Sequence, residues 1–410
     1  MHKKTWQEMI FILSIFSLLI ASFISIILSL ELINPNIVKN HYLNFGRLLP
    51  LHLNWTLYGW LSYPLIGLLF VLKGECRKNS KLIKLSLLFW LAALIALSIS
   101  CLTGNSSGKL FLEFTGISRH IFALNLSFLS FTYIYESRYL KGINFFNKYI
   151  MNGVAFCIPI VWFIASSAEV YPPINPSSGG PTGVSLMGST LVIIPIFLLL
   201  IKKLDKNISN NYLMKYWYFL LIHFLIFMVF CNHGSISNNN VGQIVSIFSL
   251  IIWPFLLIKL YFKNSSDRDQ KHWKTSMVTW FLLLSITAVI SFLPGVLIHV
   301  KFNSILVAHS HIAMAGFLSS FCFLVFDCFV SKDYLKHCLN SNFFINWHLI
   351  QVSHVFLLFF MGMIELDGFY YNIDFTYEFL KYLRVLIAVI FFILIALTFR
   401  RSLSYSLKKY

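Results

Sequence analysis

The chain has 410 residues, 58% of them hydrophobic and only 11% charged, and carries a formal net charge of +17. No water-soluble domain of this length hides so much apolar surface in one core, so lipid must be part of the solvent. The basic excess sits in short loops beside apolar runs, which argues against a nucleic-acid partner and for a topology signal.

In chain order, uncharged apolar runs fall at about residues 8 to 30, 48 to 72, 85 to 102, 120 to 135, 149 to 168, 184 to 201, 216 to 231, 243 to 258, 277 to 298, 304 to 326, 345 to 364 and 382 to 399. Most approach the ~20 residues that span a bilayer. Lipid offers no hydrogen-bond partner, so each run must close its own backbone bonds as a helix. Strands of a closed barrel would be half as long and alternate in polarity. The expectation is an all-α polytopic membrane protein of about twelve transmembrane helices, one domain over residues 1–410. The first run is too long for a removable leader and lacks a small-residue cleavage site, so it reads as a retained anchor. Basic clusters recur after every second run: Lys73, Arg77, Lys78, Lys81 and Lys84; Arg138, Lys141 and Lys148; Lys202, Lys203, Lys206 and Lys215; and so on to Arg400 and Arg401. With Lys3 and Lys4 ahead of the first run, this puts both termini in the cytoplasm. The opposite loops are neutral or acidic, as in Glu365, Asp367, Asp374 and Glu378. The seven cysteines are scattered with no C-x-x-C spacing, so they define neither a disulfide framework nor a zinc site.

Of thirteen histidines, nine lie in or at the ends of the apolar runs: His52, His120, His223, His233, His299, His309, His311, His348 and His354. An intramembrane imidazole needs a partner or a role. For His120, His223, His299, His348 and His354 the expected role is hydrogen bonding between helices. Ala308-His309-Ser310-His311 is sharper. Two positions on an α-helix differ by about 200°, so these rings face opposite ways and cannot chelate one metal; they suit two separate centres. His52 lies about 9 Å into its helix and His311 about 12 Å, at ~1.5 Å per residue. Equal depth on two facing helices is what axial ligation of one heme by His52 and His311 requires, with His309 holding a second, five-coordinate heme.

These segments resemble subunit I of the heme-copper oxidases, with the C-family cytochrome c oxidases nearest and nitric oxide reductases related. Phe45-Gly-Arg-Leu-Leu-Pro-Leu-His52 is similar to the start of that family's second helix, and Ala308-His309-Ser310-His311 to its tenth-helix motif. Asn346-Trp347-His348 is similar to the opening of its eleventh helix. The resemblance implies low-spin heme ligation by His52 and His311, high-spin heme ligation by His309, and one or two b-type hemes. It further implies a bacterial inner membrane, a respiratory role, and a cytochrome c-type donor subunit, since the chain has no C-x-x-C-H of its own. Arg47 and Arg119, at outer helix ends, would then pair with heme propionates or snorkel to the interface.

The copper site of that family is degenerate here. The sixth run contains no histidine, and the family's adjacent pair on the seventh is replaced by Asn232-His233. His233 alone would hold copper weakly, because affinity comes from several nitrogens converging at fixed geometry. No tyrosine occurs between His223 and His233, so the family's active-site tyrosine has no counterpart there. The loop Tyr171–Gly183 is rich in proline and glycine and is expected to be a fixed interhelical turn over that place. Three functions therefore stand open: an oxidase-like subunit passing electrons from heme to heme, a copper-free cytochrome b acting in electron transfer or gas sensing, and a heme-free transporter relaying protons.

Overall fold

The structure, a computed structural model, describes residues 5–74, 80–107, 112–136, 145–167, 183–205, 208–230, 241–262, 271–340, 342–366 and 374–408. Among the described residues the regular elements are helices, and ten are long and apolar enough to cross a bilayer: Trp6–Glu31, Phe45–Lys73, Lys81–Leu102, Leu186–Leu204, Asn210–Phe230, Val241–Phe262, Lys271–Ser291, Ser304–Phe329, Phe343–Leu366 and Thr376–Tyr405. This makes the chain a multi-pass membrane protein. The fourth and fifth apolar runs fall on two further helices, Gly116–Glu136 and Phe145–Ala165.

The helix starts are encoded locally. Thr5 and Glu8 form a reciprocal capping box, and the side chains of Asn44, Ser80 and Asn303 accept from Arg47 N, Ile83 N and Ile305 N. Each satisfies a backbone donor that the first turn leaves open.

Two runs that read as continuous are interrupted. The helix Val241–Ser249 stops and Ile252–Phe262 begins after a turn at 250–251. Pro254 has no N–H for the Leu250 carbonyl, which accepts instead from Trp253 N at 3.0 Å. The run expected over 277–298 ends at Ser291. A turn through Pro294 and Gly295, the latter at φ 81°, precedes the short helix Val296–Val300.

The chain falls into two compact units. The first comprises Met1–Pro173, Phe329–Trp347 and Lys381–Tyr410; the second comprises Ile174–Cys328 and His348–Leu380. In the first, Trp6 packs on Phe70 and Phe329, each 5.9 Å between ring centroids, and Tyr334 meets Phe11 and Tyr405 edge-on. In the second, Phe281 stacks on Phe317 at 4.5 Å, Phe197 meets Phe321 edge-on, and Trp273 stacks on Phe323. Large apolar side chains also cover the outside: Val229, Leu124 and Phe356 are 77%, 71% and 69% exposed, as a lipid-facing surface requires.

Candidate functional site

His52 lies in the second turn of the α-helical stretch Phe45–Asn54, in the first unit. Its Nδ1 is 2.9 Å from the carbonyl oxygen of Ala21. A carbonyl only accepts, so the proton sits on Nδ1 and the lone pair on Nε2. No described residue hydrogen-bonds that Nε2.

His309 and His311 lie in the α-helix Ser304–His311 of the second unit, and their rings go to different neighbours, as their spacing requires. His309 Nδ1 is 2.8 Å from Thr287 Oγ1 on the helix Lys271–Ser291. The Thr287 hydroxyl proton is directed at the carbonyls of Leu283 and Leu284, both at 3.0 Å. With that proton on a carbonyl, Thr287 Oγ1 accepts from His309 Nδ1. His311 Nδ1 donates to the Val307 carbonyl at 2.8 Å, one turn back on its own helix. All three expected ligands are thus held as the same tautomer by a protein acceptor, with Nε2 as the lone-pair nitrogen. A protein acceptor on one ring nitrogen fixes the tautomer and orientation of an imidazole in this way.

Two other histidines are built differently. Trp253 donates its indole N–H to His223 Nδ1 at 2.9 Å, while His223 Nε2 donates to Ser249 Oγ at 2.8 Å, whose proton goes to the Ser246 carbonyl. Trp280 donates to His348 Nδ1 at 3.3 Å, and His348 Nε2 donates to Ser276 Oγ at 2.9 Å. Ser276 passes its proton to Ser320, which bonds the Gly316 carbonyl at 2.7 Å. Both nitrogens of both rings are committed, so these are the helix-to-helix bonds expected of them. His120 is exposed and bonds its own helix at the Gly116 carbonyl, and His299 is exposed.

Sequence reasoning missed two features. The first is His354, whose ring lies edge-on to His311 with centroids 4.5 Å apart. The second is a pair of π-helical segments, Trp55–Leu61 and Ile312–Leu318, just after His52 and His311. Each has glycine at its fifth position. A Cβ at Gly59 would stand 2.4 Å from Ser17 Cβ, and one at Gly316 would stand 2.4 Å from Trp280 Cδ2. Each is followed by a serine bonding back five residues, Ser62 to Leu57 and Ser319 to Met314, both at 2.8 Å. The signal was present in the sequence: His52-x6-Gly59-Trp-Leu-Ser62 is echoed by His309-x6-Gly316-Phe-Leu-Ser319. Such segments concentrate at functional sites.

The two arginines are engaged with protein. Arg47 donates Nη1 to the Leu102 carbonyl and Nη2 to His41 Nε2. Arg119 donates Nε to Ser166 Oγ at 2.8 Å and Nη2 to the Phe163 carbonyl at 2.6 Å, with its guanidinium 4.1 Å over the Phe163 ring. His233, Asn232 and the segment 171–182, expected to be a fixed turn, lie outside the described residues. Among the described residues no three His, Cys, Asp or Glu side chains gather around a common metal position. The chain matches no protein-family model and no curated protein sequence.

Proposed function

We propose that this chain is a heme-binding membrane oxidoreductase similar to heme-copper oxidase subunit I, with about twelve spans and both termini on the cytoplasmic side of a bacterial inner membrane. In this reading His52 and His311 would hold a low-spin b-type heme and His309 a second heme. A cytochrome c-type subunit donates the electrons. The single observation that carries the reading is the common state of the three rings: each is fixed through Nδ1 by a protein acceptor, which orients the imidazole and puts its basic lone pair on Nε2, the atom that would meet iron. A bound heme supplies one-electron chemistry; the chain's part is to orient the ligands and keep water out. Arg47 and Arg119 each retain N–H groups beyond those described bonds and would pair with propionates.

A second reading, a copper-free cytochrome b for electron transfer or gas sensing, is favoured by the absence of histidine from the sixth apolar run and of a histidine pair on the seventh. Reduced-minus-oxidised spectra of the purified protein, with metal analysis, separate the readings. Hemes with copper support the oxidase-like form, and hemes without copper the cytochrome. His52→Ala and His311→Ala should each abolish the low-spin signal, whereas His309→Ala should leave it. Wild-type spectra in all three variants, or protein without heme, would refute the ligand assignment.

A further inference from the structure

Lys271 and Lys274 mark the basic-loop end of the helix Lys271–Ser291. From there residues 275–291 rise only about 25 Å, at ~1.5 Å per residue, whereas a hydrocarbon core is about 30 Å thick. The returning span Ser304–Phe329 covers about 30–35 Å before it reaches Asp327. Residues 292–303, which join the two spans, therefore sit at the edge of the core in the leaflet opposite the basic loops, not in bulk water.

The segment is built for that depth. Phe292 N donates to the Ala288 carbonyl at 3.2 Å, Leu293 N to Ile290 at 3.1 Å, Val296 N to Leu293 at 3.0 Å and Lys301 N to Leu297 at 3.0 Å. Asn303 Nδ2 covers the His299 carbonyl at 3.1 Å, and Pro294 has no N–H to satisfy. Phe292 and Val300 are buried against the protein. The outward side is apolar as well. Ile286, Ile290 and Leu293, at steps of four and three, carry an exposed stripe off the end of the long helix. Ile298 and Phe302, one helical turn apart, continue it at 68% and 84% exposure, and Phe302 is the most exposed large apolar side chain among the described residues. Lys301 is the one charged residue between Lys274 and Asp327, and its Nζ lies 5.1 Å from the Phe302 ring centroid. An aromatic ring beside a lone cation suits the boundary of a bilayer, where the ring meets acyl chains and the ammonium reaches the phosphates.

We propose that residues 293–302 form an in-plane lipid anchor in the leaflet opposite the basic loops. Ile298 and Phe302 enter among the upper acyl chains, and Lys301 meets the lipid phosphates. Two observations favour lipid over a protein partner: the patch continues the lipid-facing stripe of the preceding helix, and its height lies within the membrane boundary. Asn303, which caps the helix Ser304–His311, follows the anchor directly, so the anchor sets the height at which His309 and His311 stand in the bilayer. It does not depend on bound heme.

The test is depth-dependent fluorescence quenching in the full-length chain with its native cysteines replaced. Ile298→Cys and Phe302→Cys are each labelled with an environment-sensitive maleimide dye and reconstituted in phosphatidylcholine–phosphatidylglycerol vesicles. The quenchers are lipids brominated high or low on the acyl chain, and iodide in the water. Phe356→Cys, at an exposed position midway along the helix Phe343–Leu366, serves as the deep control, and Asn36→Cys, on the exposed loop after Glu31, as the aqueous one. Both anchor sites should be quenched at least about twofold more by the high bromines than by the low ones, with little effect of iodide. Phe356→Cys should show the reverse bromine preference, and Asn36→Cys should respond to iodide alone. Iodide quenching of the anchor sites equal to that at Asn36→Cys would place the segment in water, and protection from every quencher would place it under protein; either result overturns the anchor. A preference for the low bromines would overturn its position at the boundary. Both substituted side chains are exposed, and Ile298→Cys keeps Phe302 in place, so the reading does not rest on a variant that removes the ring.

Discussion

Replacing Thr287 by valine removes one hydroxyl and adds one methyl, with little change of shape. The structure gives that hydroxyl a defined task, since its proton goes to the Leu283 and Leu284 carbonyls and its oxygen receives His309 Nδ1–H at 2.8 Å. In Thr287→Val the imidazole proton has no acceptor, a cost of about 1–3 kcal/mol for a buried donor. Loss of an outer-sphere partner of a metal-ligating histidine weakens metal binding about 10- to 100-fold, or roughly 1.4–2.7 kcal/mol, so the two estimates agree. The assay is heme per polypeptide after purification together with the carbon monoxide difference spectrum, which would report the five-coordinate iron of the proposed second heme. Thr287→Val should lower the carbon monoxide-reactive heme and leave the low-spin signal intact, and Thr287→Ser should restore it. A valine variant with the full carbon monoxide signal would refute the role of Thr287. A serine variant as impaired as the valine one would mean that the methyl group matters and the hydrogen bond does not.

Gly316→Ala should destabilise the second unit by about 1–3 kcal/mol, because its Cβ meets the Trp280 indole at 2.4 Å and displaces a ring that donates to His348. That lowers the melting temperature in detergent by several degrees, and melting unchanged from wild type would show that the indole moves aside freely. His223→Ala should cost stability, through the orphaned Trp253 N–H and Ser249, without altering any heme spectrum; a spectral change would make His223 a ligand. On the short helix Lys332–Cys338, burial pushes the Cys338 thiol up to about 12 and raises Tyr334 as well. A raised acid favours the fold while it stays protonated, so stability should fall as pH climbs from about 9 towards 12. Cys338→Ala should blunt that alkaline loss in a pH series of thermal melts, and an identical pH profile would contradict the burial argument.

The helices were legible because lipid enforces a simple rule: every apolar run must satisfy its own backbone. Helix entries were legible where a cap is written beside the run, as at Asn44 and Asn303. The breaks at 250–251 and 292–295 were marked by Pro254 and by Pro294-Gly295, but hydropathy alone does not weigh a proline against apolar neighbours. The opposed faces of His309 and His311 followed from helical periodicity, and Thr287 and Val307 receive them on different sides. The choice of acceptor did not follow, since serine and threonine occur on nearly every helix. His354 was illegible because its approach to His311 depends on how two helices cross. Arg47 and Arg119 read as interfacial cations; their carbonyl acceptors at Leu102 and Phe163 belong to neighbouring helix ends that composition does not identify.

The widened turns at Trp55–Leu61 and Ile312–Leu318 carry a consequence for length variation. An i→i+5 loop holds one residue more than an i→i+4 loop, and each added residue turns an α-helix by about 100°. Below each turn the helix presents a different side from the one an uninterrupted spiral would show. Removing one residue inside such a turn, Ala313 for instance, lets the spiral close up while everything downstream keeps its facing. The same deletion in the unbroken helix Lys81–Leu102 would swing every later side chain off its neighbours. The two histidine-bearing helices therefore have a spare position built in, and insertions or deletions among relatives should gather there.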